Sequence, residues 1–92
     1  MSMIDIGKEI CVYLTFSSIN NEVVEIENFI KIIVDESENI GVRKSAIDNL
    51  LSRCHPKWLG DYYIEGVTYQ EWTNLISRFY CSLNKFKTKL KD

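Results

Sequence analysis

Three cysteines and one histidine are the side chains of this sequence best suited to hold a metal or to act as a nucleophile. Cys54 and His55 are adjacent, whereas Cys11 and Cys81 lie far from them along the chain. Structural zinc sites usually take ligands from close C-x-x-C pairs, and the sequence has no such pair. The histidine precedes Pro56, and no signature of a thiol enzyme surrounds any cysteine. We therefore predict small buried cysteines in a reducing compartment, with no metal and no other cofactor.

Asp61 and Glu65 form a carboxylate pair at a spacing that could support acid–base catalysis. They flank a predicted turn, where acidic residues are common for local conformational reasons. The sequence has no glycine-rich phosphate loop, no HExxH and no G-x-S-x-G motif. We predict that the protein is not an enzyme and has no small-molecule substrate.

Charge is divided unevenly between the two halves of the chain. Residues 1–42 carry two basic and eight acidic residues, and residues 43–92 carry nine basic and five acidic ones. Such asymmetry indicates that one face meets a polyanion or that each half meets a different partner, although small domains also segregate charge by chance. Neither a secretory signal nor an apolar run of the ~18 residues needed to span a bilayer occurs, which predicts a cytosolic protein without membrane contact.

The basic half supplies candidate contacts to phosphate or to a protein partner. Lysines alternate along the last predicted helical turns, and each can make ~1 salt-dependent phosphate contact, although cations at a helix C-terminus also suit the helix dipole. A second basic cluster lies beside aromatic residues, a combination typical of RNA binding and of protein interfaces. We expect Trp58 and one neighbouring tyrosine to belong to the core. The candidate partner-binding residues are Arg43, Lys44, Arg53, Lys57, Arg78, Lys85, Lys87, Lys89 and Lys91.

The acidic half offers the opposite hypothesis. A row of carboxylates could imitate the phosphates of a nucleic acid, or it could be the solvated face of an amphipathic helix. The residues of this row are Glu22, Glu25, Glu27, Asp35, Glu36 and Glu38.

The periodicity of apolar residues predicts the order β-α-α-β-β-α. Residues 4–16 alternate apolar and polar side chains and predict a strand, with a helix through Ile6, Ile10, Tyr13 and Leu14 as the rival interpretation. Helical spacing predicts helices at about 22–34 and at 42–54, the latter ended by Pro56. Residues 61–69 resemble a hairpin turning at Glu65-Gly66.

The last predicted helix starts at a capping box formed by Thr68 and Glu71 and runs to Leu90. Together these elements predict one α+β domain over residues 1–92, with a short antiparallel sheet covered by helices.

Over its full length the chain resembles the small phage-encoded anti-CRISPR proteins that inhibit the type I-F (Csy) surveillance complex. The stretches VRKSAIDNLLSRCHPKW and LNKFKTKLKD carry most of this resemblance, together with the length, the Ile/Asn/Lys-rich usage and the polarised charge. The resemblance implies a non-enzymatic inhibitor in the host cytoplasm that docks on Cas subunits and blocks target DNA binding. It transfers no functional residue, because that group of proteins shares no motif.

The charge layout leaves two docking modes open. The acidic residues could occupy lysine-rich DNA tracks on Cas subunits, or the basic residues could contact guide-RNA phosphates. The alternative functions are a stand-alone nucleic-acid-binding phage regulator, which predicts salt-dependent binding to free RNA or DNA, and a partner binder that involves no nucleic acid.

Overall fold

Four α-helices account for most of residues 2–90, the part of the chain described by this computed structural model. They are α1 (Met3–Phe16), α2 (Asn20–Val34), α3 (Ile40–Arg53) and α4 (Tyr69–Lys89), and a short 3-10 helix, Leu59–Asp61, lies between α3 and α4. None of the described residues lies in a β-strand. The predicted α+β fold with its antiparallel sheet is therefore wrong, and the described chain is all-helical.

The helices form an antiparallel four-helix bundle. Each helix packs against the one before and the one after it, and α4 closes the ring by packing against α1. Neighbouring helices run in opposite directions, which is the up-down-up-down arrangement favoured by short connections. The contacts that give these directions are Gly7 with Ile30, Arg43 with Ile33, Arg53 with Glu22, Asp48 with Lys87, Gly7 with Phe79 and Tyr13 with Trp72.

The first element is helix α1, so the strand predicted for residues 4–16 is wrong and the rival interpretation is confirmed. Ile6, Ile10 and Leu14 form a buried stripe. Their spacing of four residues fits a helix but also falls entirely on even positions, so it imitates the alternation of a strand. Val12 and Phe16 are apolar and also lie at even positions, so they strengthen the apparent alternation, although they are 52% and 72% exposed.

The predicted hairpin at residues 61–69 is also wrong, although its turn residue was identified correctly. Gly66 has a φ of +87°, in the left-handed region that favours glycine. The flanking residues form no strands, because a lone two-stranded hairpin is only marginally stable and no third strand lies within residues 2–90 to support it. Instead, the Glu65 backbone N–H donates to the Ser17 hydroxyl at 3.2 Å.

The two later helices were predicted with small errors at their ends. Helix α3 begins at Ile40 rather than at residue 42, because the Asn39 side chain accepts from the Gly41 N–H at 2.7 Å and caps it. Helix α4 ends at Lys89. Between the helices lies one core, whose largest fully buried side chains are Trp72, Phe79, Ile10, Leu14, Ile26, Ile33, Ile47, Leu50, Leu59 and Leu83.

The predicted capping box at the start of α4 is confirmed and yields a first stability prediction. The Glu71 N–H donates to the Thr68 hydroxyl at 3.0 Å, and the Thr68 N–H donates to the Glu71 carboxylate at 2.9 Å. Thr68→Ala should lower the free energy of unfolding by about 1 kcal/mol, measured by urea denaturation. Thr88→Ala is the matched control, because its exposed hydroxyl bonds only to the Asn84 carbonyl within the same helix, and it should change stability by less than about 0.5 kcal/mol.

The capping box also makes stability depend on pH. Hydrogen bonds from the Thr68 backbone and side chain lower the pKa of Glu71 below its ordinary value of 4.5. A lowered pKa means that the stabilisation is complete above the ordinary value and is lost as pH falls through the lowered one. Glu71→Ala removes the carboxylate that accepts from the Thr68 N–H, so the difference in stability between Glu71→Ala and the unmodified protein should shrink in acid. A difference that stays constant from neutral to acidic pH would contradict the ionic part of this cap.

Candidate partner-binding surfaces

A buried carboxylate joins two helices to the connection between α3 and α4. Glu22, in the first turn of α2, is 4% exposed. Its Oε1 accepts from Arg53 Nη1 at 2.7 Å, and its Oε2 accepts from Trp58 Nε1 at 2.7 Å and from the Tyr62 hydroxyl at 2.9 Å. Burying a charge is costly unless it is paired and hydrogen-bonded, and here one cation and two neutral donors satisfy it. These four residues are called the Glu22 cluster below.

Arg53 of the Glu22 cluster also contacts two aromatic rings and a second carboxylate. Its guanidinium carbon lies 4.6 Å from the centre of the Trp58 ring and 5.5 Å from that of Phe29, within cation–π range. Its Nη2 also lies 3.8 Å from the Glu25 carboxylate. The side chain is only 14% exposed, so this predicted partner-binding residue is largely used by the fold itself.

The Glu22 cluster fixes the connection of residues 54–68, called here the aromatic segment. A second anchor comes from α4, where Trp72 Nε1 donates to the Leu59 carbonyl at 2.7 Å. Two residues of the segment itself, Leu59 and Ile64, are buried. A connection without regular strands is thus attached to α2, α3 and α4 at once.

The outer side of the aromatic segment exposes large rings. Tyr63 is 83% exposed and Trp58 is 42% exposed, so the prediction that Trp58 belongs to the core is wrong. The neighbouring tyrosine, Tyr62, packs against the core as expected. Lys57 and Asp61 lie beside Trp58 and Tyr62 around a shallow depression. Exposed Tyr and Trp with a nearby cation are enriched at protein interfaces.

Burial and the hydrogen bond to Glu22 raise the pKa of Tyr62, while the nearby Arg53 opposes that rise. The phenol therefore stays protonated at neutral pH and remains a donor to the Glu22 carboxylate.

The structure does not gather the predicted basic residues into one face. Arg43 is 8% exposed, and its Nε donates to the Ile33 carbonyl at 2.8 Å, so it joins α3 to α2. Lys87 Nζ lies 2.6 Å from the Asp48 carboxylate. Lys44 and Arg78 also interact with other residues. The exposed members among the described residues are Lys57, Arg78, Lys85 and Lys89, and Lys91 lies outside the described residues.

These cations are also divided between the two ends of the bundle. Arg43 and Arg53 lie at opposite ends of α3, about 15 Å apart at ~1.5 Å per residue. Lys57 follows the end marked by Arg53 and precedes the start of α4, whereas the α4 lysines lie in the last turns of that long helix, where Lys87 pairs with Asp48 midway along α3. The predicted cluster of Arg43, Lys44, Arg53 and Lys57 is therefore split in space.

The acidic row is interrupted as well. Glu22 is buried, and Glu25 lies next to Arg53. Asp35 accepts from the Ser37 hydroxyl and backbone N–H, and these bonds lower the pKa of Asp35. Glu27, Glu36 and Glu38 remain exposed.

The cysteines occupy separate places. Cys11 and Cys54 are buried as predicted, whereas Cys81 is exposed. Burial raises the pKa of Cys11 to about 11 and that of Cys54 to about 12, so both are protonated thiols at neutral pH. Within residues 2–90 no group of three or more His, Cys, Asp or Glu side chains could hold a metal ion. Asp61 and Glu65, the predicted carboxylate pair, are both exposed.

Sequence reasoning missed one surface, an open groove between α1 and α2. Its volume is about 660 Å³, and apolar side chains including Ile4, Val12, Phe16 and Ile30 line most of it. Apolar residues that fall off the buried stripe of α1 were the sequence signal for this groove, but that signal was taken for part of a strand.

Across residues 2–90, no helix combines the length and the apolar character required to cross a membrane. Comparison of the chain with protein-family models, curated proteins and solved structures gives no match.

Proposed function

We propose that the protein is a non-catalytic inhibitor that binds Cas subunits of a type I-F CRISPR–Cas surveillance complex in the host cytoplasm and blocks target DNA binding. The whole-chain resemblance to anti-CRISPR proteins supports the choice of target. The exposed rings of the aromatic segment support the mode of action and carry the proposal. They provide the kind of contact on which protein interfaces most depend.

The anchoring of the aromatic segment favours binding. Ordering a loop on association costs free energy, and a segment already held by the Glu22 cluster and by Trp72 avoids much of that cost. Tyr63 projects into solvent while its neighbours Tyr62 and Ile64 are fixed. The segment thus presents a rigid aromatic anchor on a small scaffold.

In this proposal only some of the predicted basic residues contact the partner. Arg43 and Arg53 are engaged within the fold, so exchanging them for glutamate would test folding rather than contact. Lys57, beside the exposed rings, is the cation placed to meet an acidic patch or the guide RNA. Lys85 and Lys89 lie on a different helix towards the other end of the bundle and supply only a diffuse positive charge.

The proposal is tested by target-DNA binding of a purified, guide-loaded type I-F complex at physiological salt, with and without the protein. We expect near-stoichiometric amounts to abolish binding. Tyr63→Ala and Lys57→Glu should each weaken inhibition at least ~10-fold, since truncating an interface anchor typically costs about 2 kcal/mol or more. Val42→Ala is the control, because Val42 is 45% exposed at the start of α3, the end opposite Arg53, and should tolerate truncation without loss of inhibition.

Two outcomes would contradict the proposal. Full DNA binding without co-elution of the protein and the complex would remove the inhibitor function. Salt-dependent binding of free RNA or DNA, in the absence of any effect on the complex, would instead support the stand-alone regulator. The docking surface is tested separately, since equal loss of inhibition in Tyr63→Ala and Val42→Ala would contradict the aromatic segment as that surface.

A further inference from the structure

The groove between α1 and α2 is open and mainly apolar. Val12 and Phe16 form one wall and are 52% and 72% exposed, although their neighbours Ile10 and Leu14 are fully buried. Ile30 forms part of the other wall. Scattered apolar residues on a surface are ordinary, but a contiguous apolar groove marks a site of interaction.

Gly7 sets the depth of this groove. A Cβ atom at Gly7 would lie 2.5 Å from Ile30 Cδ1, closer than unbonded carbon atoms approach, and 3.3 Å from Phe79 Cε1, which is a tight contact. The absence of a side chain lets α1 and α2 approach at this level, so that Gly7, Cys11 and Ile30 line a continuous surface. The shape therefore follows from the sequence and does not depend on a mobile loop.

Cations flank the groove in a part of the chain that otherwise carries negative charge. Lys8 and Lys31 are the only basic residues among residues 1–42, and both line the groove, one from α1 and one from α2. Because Lys8 follows Gly7 and Lys31 follows Ile30, the two lysines lie at the same level on opposite walls. Neither forms an ion pair within residues 2–90, and Glu27 is the single acidic residue of the lining.

These features point to one class of occupant. We infer that the groove binds an amphipathic helix of a partner protein, whose apolar stripe is flanked by carboxylates. Apolar side chains spaced at three and four residues would enter the groove, and the carboxylates would meet Lys8 and Lys31. The inference concerns a different surface from the aromatic segment and does not rest on the inhibitor function.

Other occupants fit less well. An extended peptide needs hydrogen-bond partners for its backbone, and the backbones of α1 and α2 are already paired within their helices, whereas a helical ligand satisfies its own backbone. A second copy of this chain would present the same groove with its excess of lysines, and like charges facing each other oppose association. A carboxylate-flanked helix has neither disadvantage.

Two displayed libraries of helical peptides of about 15 residues test the inference, a length that spans the groove from Ile4 to Phe16, about 18 Å at ~1.5 Å per residue. Both libraries vary the apolar residues at the i, i+3, i+4 and i+7 positions, and they differ only in flanking glutamates or flanking lysines. We expect enrichment from the glutamate library alone. Selected peptides should bind the full chain with micromolar Kd in fluorescence anisotropy.

Matched variants locate the binding site. Val12→Glu should weaken binding at least ~10-fold, whereas Val24→Glu should not, because Val24 is equally exposed on α2, at 57%, but does not line the groove. Phe16→Ala gives a second groove variant that introduces no charge. Lys8→Glu with Lys31→Glu should reverse the preference towards the lysine library, whereas Lys85→Glu with Lys89→Glu should leave it unchanged. Circular dichroism confirms that each variant is helical.

Several results would overturn the inference. These are no enrichment from either library, equal enrichment from both, or binding that survives both Val12→Glu and Phe16→Ala. A concentration-dependent dimer in sedimentation that Val12→Glu abolishes would make a second copy the occupant instead.

Discussion

Replacing Glu22 with alanine should lower the free energy of unfolding by about 3–5 kcal/mol, the usual cost of removing one partner from a buried ion pair. The carboxylate is 4% exposed and accepts three hydrogen bonds, from Arg53, Trp58 and Tyr62. Its loss leaves a guanidinium that is 14% exposed without its main counter-charge. Urea denaturation should show a lower midpoint with an unchanged slope, since the surface exposed on unfolding is nearly the same.

Glu25→Ala is the matched control for this prediction. Glu25 lies on the same helix and approaches the same Arg53, but its contact is 3.8 Å long and its side chain is 52% exposed. An exposed pair of this kind contributes less than about 1 kcal/mol. Equal losses in Glu22→Ala and Glu25→Ala would show that burial and the two neutral donors do not contribute as we argue.

A double substitution separates the charge from the packing. Glu22→Ala combined with Arg53→Met removes both charges, so it should be less destabilising than the sum of the single changes. Glu22→Ala should also weaken the proposed inhibition of a type I-F surveillance complex, because it releases the aromatic segment that presents Tyr63. A variant that loses stability but keeps full inhibition would separate the Glu22 cluster from partner binding.

The sequence sufficed for the elements whose signals are local. The helix at residues 42–54 was found because apolar residues recur at three and four and because Pro56 follows. The start of α4 was found because the Thr68–Glu71 capping box is contained within four consecutive residues. Signals of this kind need no knowledge of the tertiary structure.

The first element was missed because two periodicities coincided. Ile6, Ile10 and Leu14 are four residues apart and also alternate with polar neighbours, so both templates fit the buried stripe. Only the exposure of Val12 and Phe16 distinguishes them, and exposure depends on where the other helices lie. The hairpin predicted at residues 61–69 was wrong for a related reason, because a two-stranded hairpin is stable only when a further strand lies beside it.

The candidate site was predicted only in part, because contacts between residues far apart in the sequence leave no local signal. Tyr63 and Lys57 were marked by their types and proximity, and the structure leaves both exposed. Glu22 was taken for a solvated acid, since nothing near it in sequence shows that Arg53 and Trp58 approach from another helix and its following loop. Buried ion pairs between distant residues give no periodic signal, so composition alone assigns both partners to the surface.

Trp72→Ala should be as destabilising as the loss of Glu22, by about 3–5 kcal/mol, because Trp72 is 1% exposed and its removal leaves a large cavity. Trp72 also packs edge-on against Tyr13, with ring centres 6.4 Å apart. Tyr69→Ala is the matched control on the same helix, because Tyr69 is 67% exposed, and it should change stability by less than about 0.5 kcal/mol.

Trp72→Phe separates the hydrogen bond of the indole from its packing. It keeps most of the apolar volume but removes the 2.7 Å bond from Nε1 and leaves the Leu59 carbonyl with only the 3.3 Å bond from the Tyr62 N–H, which should cost about 1 kcal/mol. Because Trp72 and Glu22 hold the same aromatic segment from two sides, the double variant Glu22→Ala, Trp72→Phe should deviate from additivity by at least about 0.5 kcal/mol in urea denaturation. Strict additivity would mean that the two anchors act on separate parts of the segment. Unchanged stability in Trp72→Phe would show that packing alone holds the aromatic segment on α4.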